Sequence, residues 1–182
     1  MPTVFSHPVV PLAIRVGLGA DVIPQRLLLA GALCSVLPDL DVLAFWSGVP
    51  HESEFGHRGF SHSFAFATAV ALIGACFYQK LKTSFGRAFI FLLLSTASHG
   101  VLDAFTDGGA GIAFFWPWLK NRYFAPFRPI RVAPIGISAF FWYGGILVLL
   151  SELLWLWLPC LSAAAAVAVS RRRIPMVERN PG

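Results

Sequence analysis

Charge is scarce in this chain. Acidic and basic residues make up 13% of its 182 positions, where soluble domains run near about a quarter. A well-solvated globular surface is hard to build from that. The three cysteines, Cys34, Cys76 and Cys160, are scattered through apolar stretches and form no CxxC pair. They exclude a disulfide framework and a thiolate metal site, and read as small buried hydrophobes. The sequence has no phosphate-binding glycine loop, no GxSxG elbow and no Ser-His-Asp set. It has no basic-and-aromatic recognition module, so nucleic acid is not an expected partner. No basic segment precedes the first apolar stretch, which Arg15 interrupts, so a cleavable leader is not expected and targeting falls to internal spans. Linker tracts, internal repeats and strands with period-two alternation are also missing.

What remains is 57% hydrophobic, with a mean hydropathy of +0.69. Apolar runs near membrane-spanning length cover residues 62–78, 88–105 and 135–158. The reading is a membrane protein rather than a very hydrophobic soluble bundle. A net charge of +5 suits anionic lipid head groups or phosphate-bearing substrates. The expected fold is all-α: a polytopic bundle of four to five apolar helices forming one domain over residues 1–170. Residues 171–182 would be a basic, disordered tail.

The segments can be placed in order. Residues 8–20 form a short apolar helix carrying Arg15, and 21–26 turn at Pro24. Residues 27–37 are apolar and stop at Pro38, since proline disfavours helical geometry in the residue before it. Residues 47–59 are a polar loop. Ser61 or Ser63 caps a helix running to Lys80. After a basic turn at 80–87, another helix returns through Ser98 and His99 to Phe105. Residues 107–134 are irregular, with tryptophans at 116 and 118 that suit a membrane interface. The chain is helical again from 135 to about 158, and Pro159 kinks or ends that helix.

Four polar clusters interrupt this apolar background: His7; Asp39 and Asp41; His57 through Ser63; and His99 with Asp103. They hold four of the five histidines. Imidazole and carboxylate are ligands for zinc and similar cations, and ionisable groups in a membrane usually mark function. If each apolar segment crosses the same layer, every cluster falls at one end of the bundle. His99 and Asp103, spaced i, i+4, share a helix face and can grip one metal or form a His–Asp hydrogen bond. Asp39 and Asp41 would point the same way in an extended turn and diverge on a helix. Two carboxylates at a helix C-terminus oppose the helix dipole, which favours a compensating cation. His57 and His62 bracket a glycine turn with Arg58 between them. His51, a lone loop histidine, reads as solvent-exposed, and His7 is retained only for its position. Arg58, Lys120, Arg122, Arg128 and Arg131 lie at or near the same end. Arginine can fork onto phosphate, although a solvated basic belt is the commoner arrangement.

These residues resemble the YdjM-like family, described as LexA-regulated, membrane-bound, metal-dependent hydrolases. The resemblance runs from His7 to about Pro134. It rests on the early histidine, Leu37-Pro38-Asp39-Leu40-Asp41, His57-Arg58-Gly59-Phe60-Ser61-His62-Ser63, and His99-Gly100-Val101-Leu102-Asp103. The family is distantly similar to zinc-dependent phospholipase C and related zinc nucleases, whose HxxxD motif His99 and Asp103 fit. Their HxxxE motif is missing here, which limits the expectation to one or two ions.

The expected protein is therefore a membrane-bound, metal-dependent hydrolase acting on a phosphoester such as a lipid head group. Its cofactor would be a divalent metal, with zinc the first choice, and its partners membrane lipids and that substrate. His57, His62, His99, Asp103 and, with least support, His7 would hold the metal. Asp39 and Asp41 would ligate, bridge or act as general base, and Arg58 would steady the phosphate. A non-enzymatic membrane protein with a structural or regulatory metal is the rival. A proton or ion pathway would need ionisable groups through the membrane depth, and the clustering argues against it. The resemblance implies a bacterial inner membrane. The basic far end would be cytoplasmic by the positive-inside rule, leaving the site extracytoplasmic.

Overall fold

The computed structural model describes residues 1–50, 53–134, 140–141 and 144–173, and among these the fold is helical, with two isolated bridges and no strand. The helices are α1 (Val9–Leu18), α2 (Gln25–Val36), α3 (Val42–Trp46), α4 (Phe64–Ala75), α5 (Phe85–Ala104), α6 (Gly145–Glu152) and α7 (Leu158–Arg173). His51, residues 135–139, 142 and 143, and the tail beyond Arg173 lie outside the described residues.

Three stretches are long and apolar enough to cross a membrane: Gln25–Ala44, Phe85–Ala104 and Gly145–Arg173. The first shows that Pro38 does not stop the helix. A five-residue 3-10 turn, Leu37–Asp41, accepts the proline near its start and carries the chain on into α3. Pro159 does not end the last helix either. It follows a single π turn, Leu153–Trp157, that joins α6 to α7. The helix beginning after Ser63 is shorter than its apolar sequence, ending at Ala75 before a run of turns. Ser63 caps it by accepting from the Phe66 amide, and Ser84 caps α5 in the same way from Arg87.

Apolar packing is concentrated at one end. Ile23, Leu27 and Leu28 meet Ala71 and Ala75 of α4 and Ala88, Phe91 and Leu92 of α5 in one buried cluster. Small alanines let α4 and α5 approach closely as an antiparallel pair. The outer surface is equally apolar: Leu33 is 70% exposed, Ile73 65% and Ile146 75%. Continuous exposed hydrophobic surface on this scale is tolerated where lipid is the solvent. The same surface explains Cys76, which is exposed rather than buried, because a small hydrophobe needs no interior position in that setting.

α7 runs beside α1 in the same direction. At one end the Glu152 carboxylate accepts from the Thr3 amide, the Thr3 hydroxyl at 2.7 Å and the Ser6 hydroxyl at 2.6 Å. At the other, Val167 and Ala164 pack against Gly17, and Arg171 lies 3.8 Å from Asp21. Arg171, Arg172 and Arg173 thus form the last helical turn, where cations complement the helix dipole. Glu152 is 1% exposed and ties the last helix to the segment that delivers His7. Glu152→Ala should lower stability by about 1–3 kcal/mol, because it strands the Thr3 and Ser6 donors in the interior. Glu152→Gln should lose less; unfolding in detergent measures both.

Candidate metal centre

The other end of the bundle holds the polar residues. Leu37–Asp41 brings Asp39 and Asp41, the loop before α4 brings His57, Arg58 and His62, α5 brings His99 and Asp103, and the residue before the Pro8 cap of α1 is His7. All eight are buried. The tight turn at Leu37–Asp41 makes the two aspartates diverge, as a helix would, so each meets a different set of partners.

Asp41 is saturated. Its carboxylate lies 2.7 Å from His57 Nδ1 and 3.2 Å from His62 Nδ1, and accepts from the Ser61 hydroxyl at 2.8 Å and the Arg58 amide at 3.2 Å. Such a carboxylate orients imidazoles; its lone pairs are already engaged. With the His62 proton on Nδ1, Nε2 of that ring presents a lone pair. His99 is fixed in the same sense, because its Nδ1 lies 2.7 Å from the Ser35 carbonyl oxygen, which can only accept.

The consequence is a knot of lone pairs. His62 Nε2 and His99 Nε2 stand 3.1 Å apart. Asp39 Oδ1 is 3.2 Å from His99 Nε2 and 3.9 Å from His62 Nε2, and Asp103 Oδ2 is 3.6 Å from His62 Nε2. His7 Nε2 lies 3.8 Å from Asp103 and 3.9 Å from Asp39, with its ring stacked on His99 at 3.7 Å. Both nitrogens of His7 and all four carboxylate oxygens of Asp39 and Asp103 are buried without a hydrogen-bond partner. Burial holds His7 well below the usual histidine range and pushes His62 down as well, so both rings are kept neutral.

Ligand atoms about 2.0–2.1 Å from a tetrahedral cation lie roughly 3.3 Å from one another. The 3.1–3.9 Å separations bracket that value. Two triads, His7 with His99 and Asp103, and Asp39 with His57 and His62, each have donor atoms within 4.8 Å of one another and could hold an ion. His57 and His62 both turn Nδ1 toward Asp41, and the closest approaches among the rest place His7 against Asp39 Oδ2 and Asp103 Oδ1, and the His62–His99 pair against Asp39 Oδ1 and Asp103 Oδ2.

Arg58 sits behind Asp103. Its Nε is 3.1 Å from Asp103 Oδ2, Nη1 donates to the Gly108 carbonyl at 2.7 Å and Nη2 to Thr106 Oγ1 at 2.9 Å. At 1% exposure it fixes Asp103 and the following loop and does not extend toward solvent. The loop closes over it because Gly109 adopts φ +91°, and a Cβ there would stand 2.3 Å from the guanidinium. Arg122 crosses the same loop, donating to the carbonyls of Ser53, His57 and Gly111. Lys120 pairs with Glu54, and Arg128 lies over the Phe124 ring.

Several contributors were invisible to motif reading. Ser35 acts through its backbone carbonyl, and Thr106 lies beyond the last motif; Ser61 stands in the motif, but its bond to Asp41 does not follow from it. Glu152 did carry a signal, as the lone acid of the last apolar span.

A helical bundle with lipid-compatible outer faces and a buried His/Asp knot at one end defines a class of polytopic membrane proteins with a candidate metal centre. Residues 1–174 match the family of the YdjM inner membrane protein, and the chain belongs to it. It is 46% identical over 160 residues to the inner membrane protein YbcI of Escherichia coli (strain K12), covering 87% of this chain and 92% of that one. No solved structure matches.

Gly100, between the two α5 site residues, allows α5 to touch the loop. A Cβ there would stand 2.8 Å from the His62 carbonyl oxygen, whereas one at Gly86 in the same helix would meet nothing within 4 Å. Gly100→Ala should destabilise by about 1–3 kcal/mol through overpacking. Gly86→Ala should be neutral or stabilise by up to about 1 kcal/mol. Thermal unfolding of the pair in one detergent checks this; equal behaviour would contradict the close approach.

Proposed function

We propose that this YdjM-family membrane protein is a metal-dependent hydrolase of phosphoesters, using a divalent cation held among His7, Asp39, His57, His62, His99 and Asp103. The observation that carries the reading is the cluster of buried imidazole nitrogens and carboxylate oxygens, most of them without a hydrogen-bond donor, gathered at one end of the bundle. A proton cannot satisfy that set. Doubly protonated His99 would supply one hydrogen to Asp39 or His62 and leave the His7 ring without a partner. A divalent cation could be held by either triad of donors, His7, His99 and Asp103 or Asp39, His57 and His62.

When bound, such an ion polarises a phosphoryl oxygen and lowers the pKa of a bound water. The chain's own residues do the positioning. Asp41 aims His57 and His62, Ser35 aims His99, and Arg58 holds Asp103. Where the first triad holds the ion, His57, within reach of Asp39 and His62, is the group placed to take or give a proton beside the reacting water. Zinc suits the mixed nitrogen and carboxylate donors. The arginine-rich α7 terminus and the basic 80–87 turn lie away from the centre, so we orient that end to the cytoplasm and the centre outward.

One observation favours a second reading. The centre is almost closed, with His7, His99 and Asp103 fully buried, and closure is characteristic of structural metal sites. Elemental analysis separates the first step from the second. Protein purified without chelator should carry one or two equivalents of a divalent metal, and His99→Ala or Asp103→Ala should abolish it. Asp41→Asn should weaken metal affinity by about 10–100-fold while retaining the fold. No metal after reconstitution would sink both readings. Metal without turnover on phosphodiester and phospholipid substrates would leave the structural one.

A further inference from the structure

A crevice of about 290 Å³ opens where the 3-10 turn meets the loop before α4. Leu37, Leu40, Ala44, Phe55, Phe60 and Phe66 form its walls, together with Asp41 and Ser61. Leu40 and Phe55 are more than half exposed, whereas Asp41 and Ser61 are buried. The crevice therefore runs from an apolar mouth to a polar floor. Its mouth is shared by Leu40, within the apolar stretch Gln25–Ala44 that is long enough to span a bilayer, and Phe55 of the loop. Its floor is the carboxylate that orients His57 and His62.

We propose that this crevice binds one fatty acyl chain of a membrane phospholipid, entering sideways from the bilayer, with its polar end toward the side on which Asp41 and Ser61 lie. The proposal rests on the hydrolase reading and gives it a substrate class. Apolar walls suit a hydrocarbon chain, which has no polar group to satisfy. A peptide segment from a partner would bring backbone N–H and C=O groups that these walls cannot pair. Continuity decides between this crevice and the other lipid-facing grooves. The groove of about 420 Å³ between α1 and α7, lined by Val10, Ile14, Cys160 and Val167 among others, has no imidazole, carboxylate or hydroxyl in its walls.

The test uses full-length protein in phospholipid nanodiscs containing a phospholipid with a photoactivatable diazirine in its acyl chain. Peptide mapping should place label on residues 37–44 and 55–66 several-fold above the α1–α7 groove. Ala44→Phe should fill the crevice and reduce that labelling several-fold, with Ala44→Leu intermediate, while outward-facing Leu147→Phe leaves it unchanged. Ala44→Leu carries the comparison should the larger side chain prevent folding. Equal labelling of both grooves, no response to either Ala44 variant, or a protein crosslink in place of lipid would overturn the proposal. Metal content is measured on the same samples. Normal metal with uniform labelling refutes the crevice alone, and a labelled crevice in metal-free protein refutes the centre alone.

Discussion

The site end of this bundle is governed by one electrostatic constraint: three imidazole nitrogens and two carboxylates face one another with too few hydrogens between them. Burying a single unpaired carboxylate costs several kcal/mol even after relaxation. Here Asp39, Asp41 and Asp103 are buried together, and among the described residues the one buried guanidinium, Arg58, lies against only Asp103, which the Met1 amine also faces. Asp41 is relieved by four donors. Asp39 has no comparable support, and His7 has none. A divalent cation resolves this imbalance with a single added group, and the approach distances are those its ligands would need.

That constraint explains how the bundle is divided. Tight apolar packing lies at the end where α2 begins, α4 finishes and α5 starts. The polar residues occupy the opposite ends of the same helices, so one half of the bundle holds the other in register. Within the spans, Ser95 and Thr96 return their hydroxyls to backbone carbonyls at 2.7 and 2.8 Å and place no demand on the surroundings. The irregular segment after α5 then covers the site by main-chain bonds, including Phe64 to Phe114 and Ala113 to Arg58. Part of its irregular backbone is thereby paired with protein.

Much of this was legible in the sequence because period, length and polarity speak directly about membrane helices. The helix that follows His62, the helix bearing His99, the basic turn between them, and the grouping of the polar clusters all follow from the order of apolar and polar segments. The local geometry did not. Pro38 reads as a stop because proline disfavours helical geometry in the residue before it, yet a 3-10 turn accommodates it and the apolar stretch continues to Ala44. Pro159 is tolerated beside a π turn for a similar reason. Arg58 reads as a phosphate ligand because of its motif. Its left-handed backbone, φ 64°, and the carbonyl of Gly108 turn it inward, and no local pattern predicts a partner fifty residues away. Glu152 went unread because a lone acid in a greasy run has no motif, although its isolation there was the clue.

Access decides between a catalytic and a structural centre. A structural ion is best served by complete enclosure, and the core of this site comes close to it. Yet Asp41, which aims two of the histidines, also forms part of a crevice wall that opens on the lipid-facing side. A purely structural centre gains nothing from exposing its orienting carboxylate to a hydrocarbon-lined path, and leucine or phenylalanine packed into that space would shield it at no polar cost. Ser61 adds to the case, since its hydroxyl bridges Asp41 and the neighbourhood of His62 Nδ1 at 3.0 Å. A ligand reaching the floor of the crevice would touch the same hydrogen-bond network that sets the direction of the His62 lone pair. In the proposed reading, lipid occupancy and the centre would be coupled through these two residues, Asp41 and Ser61.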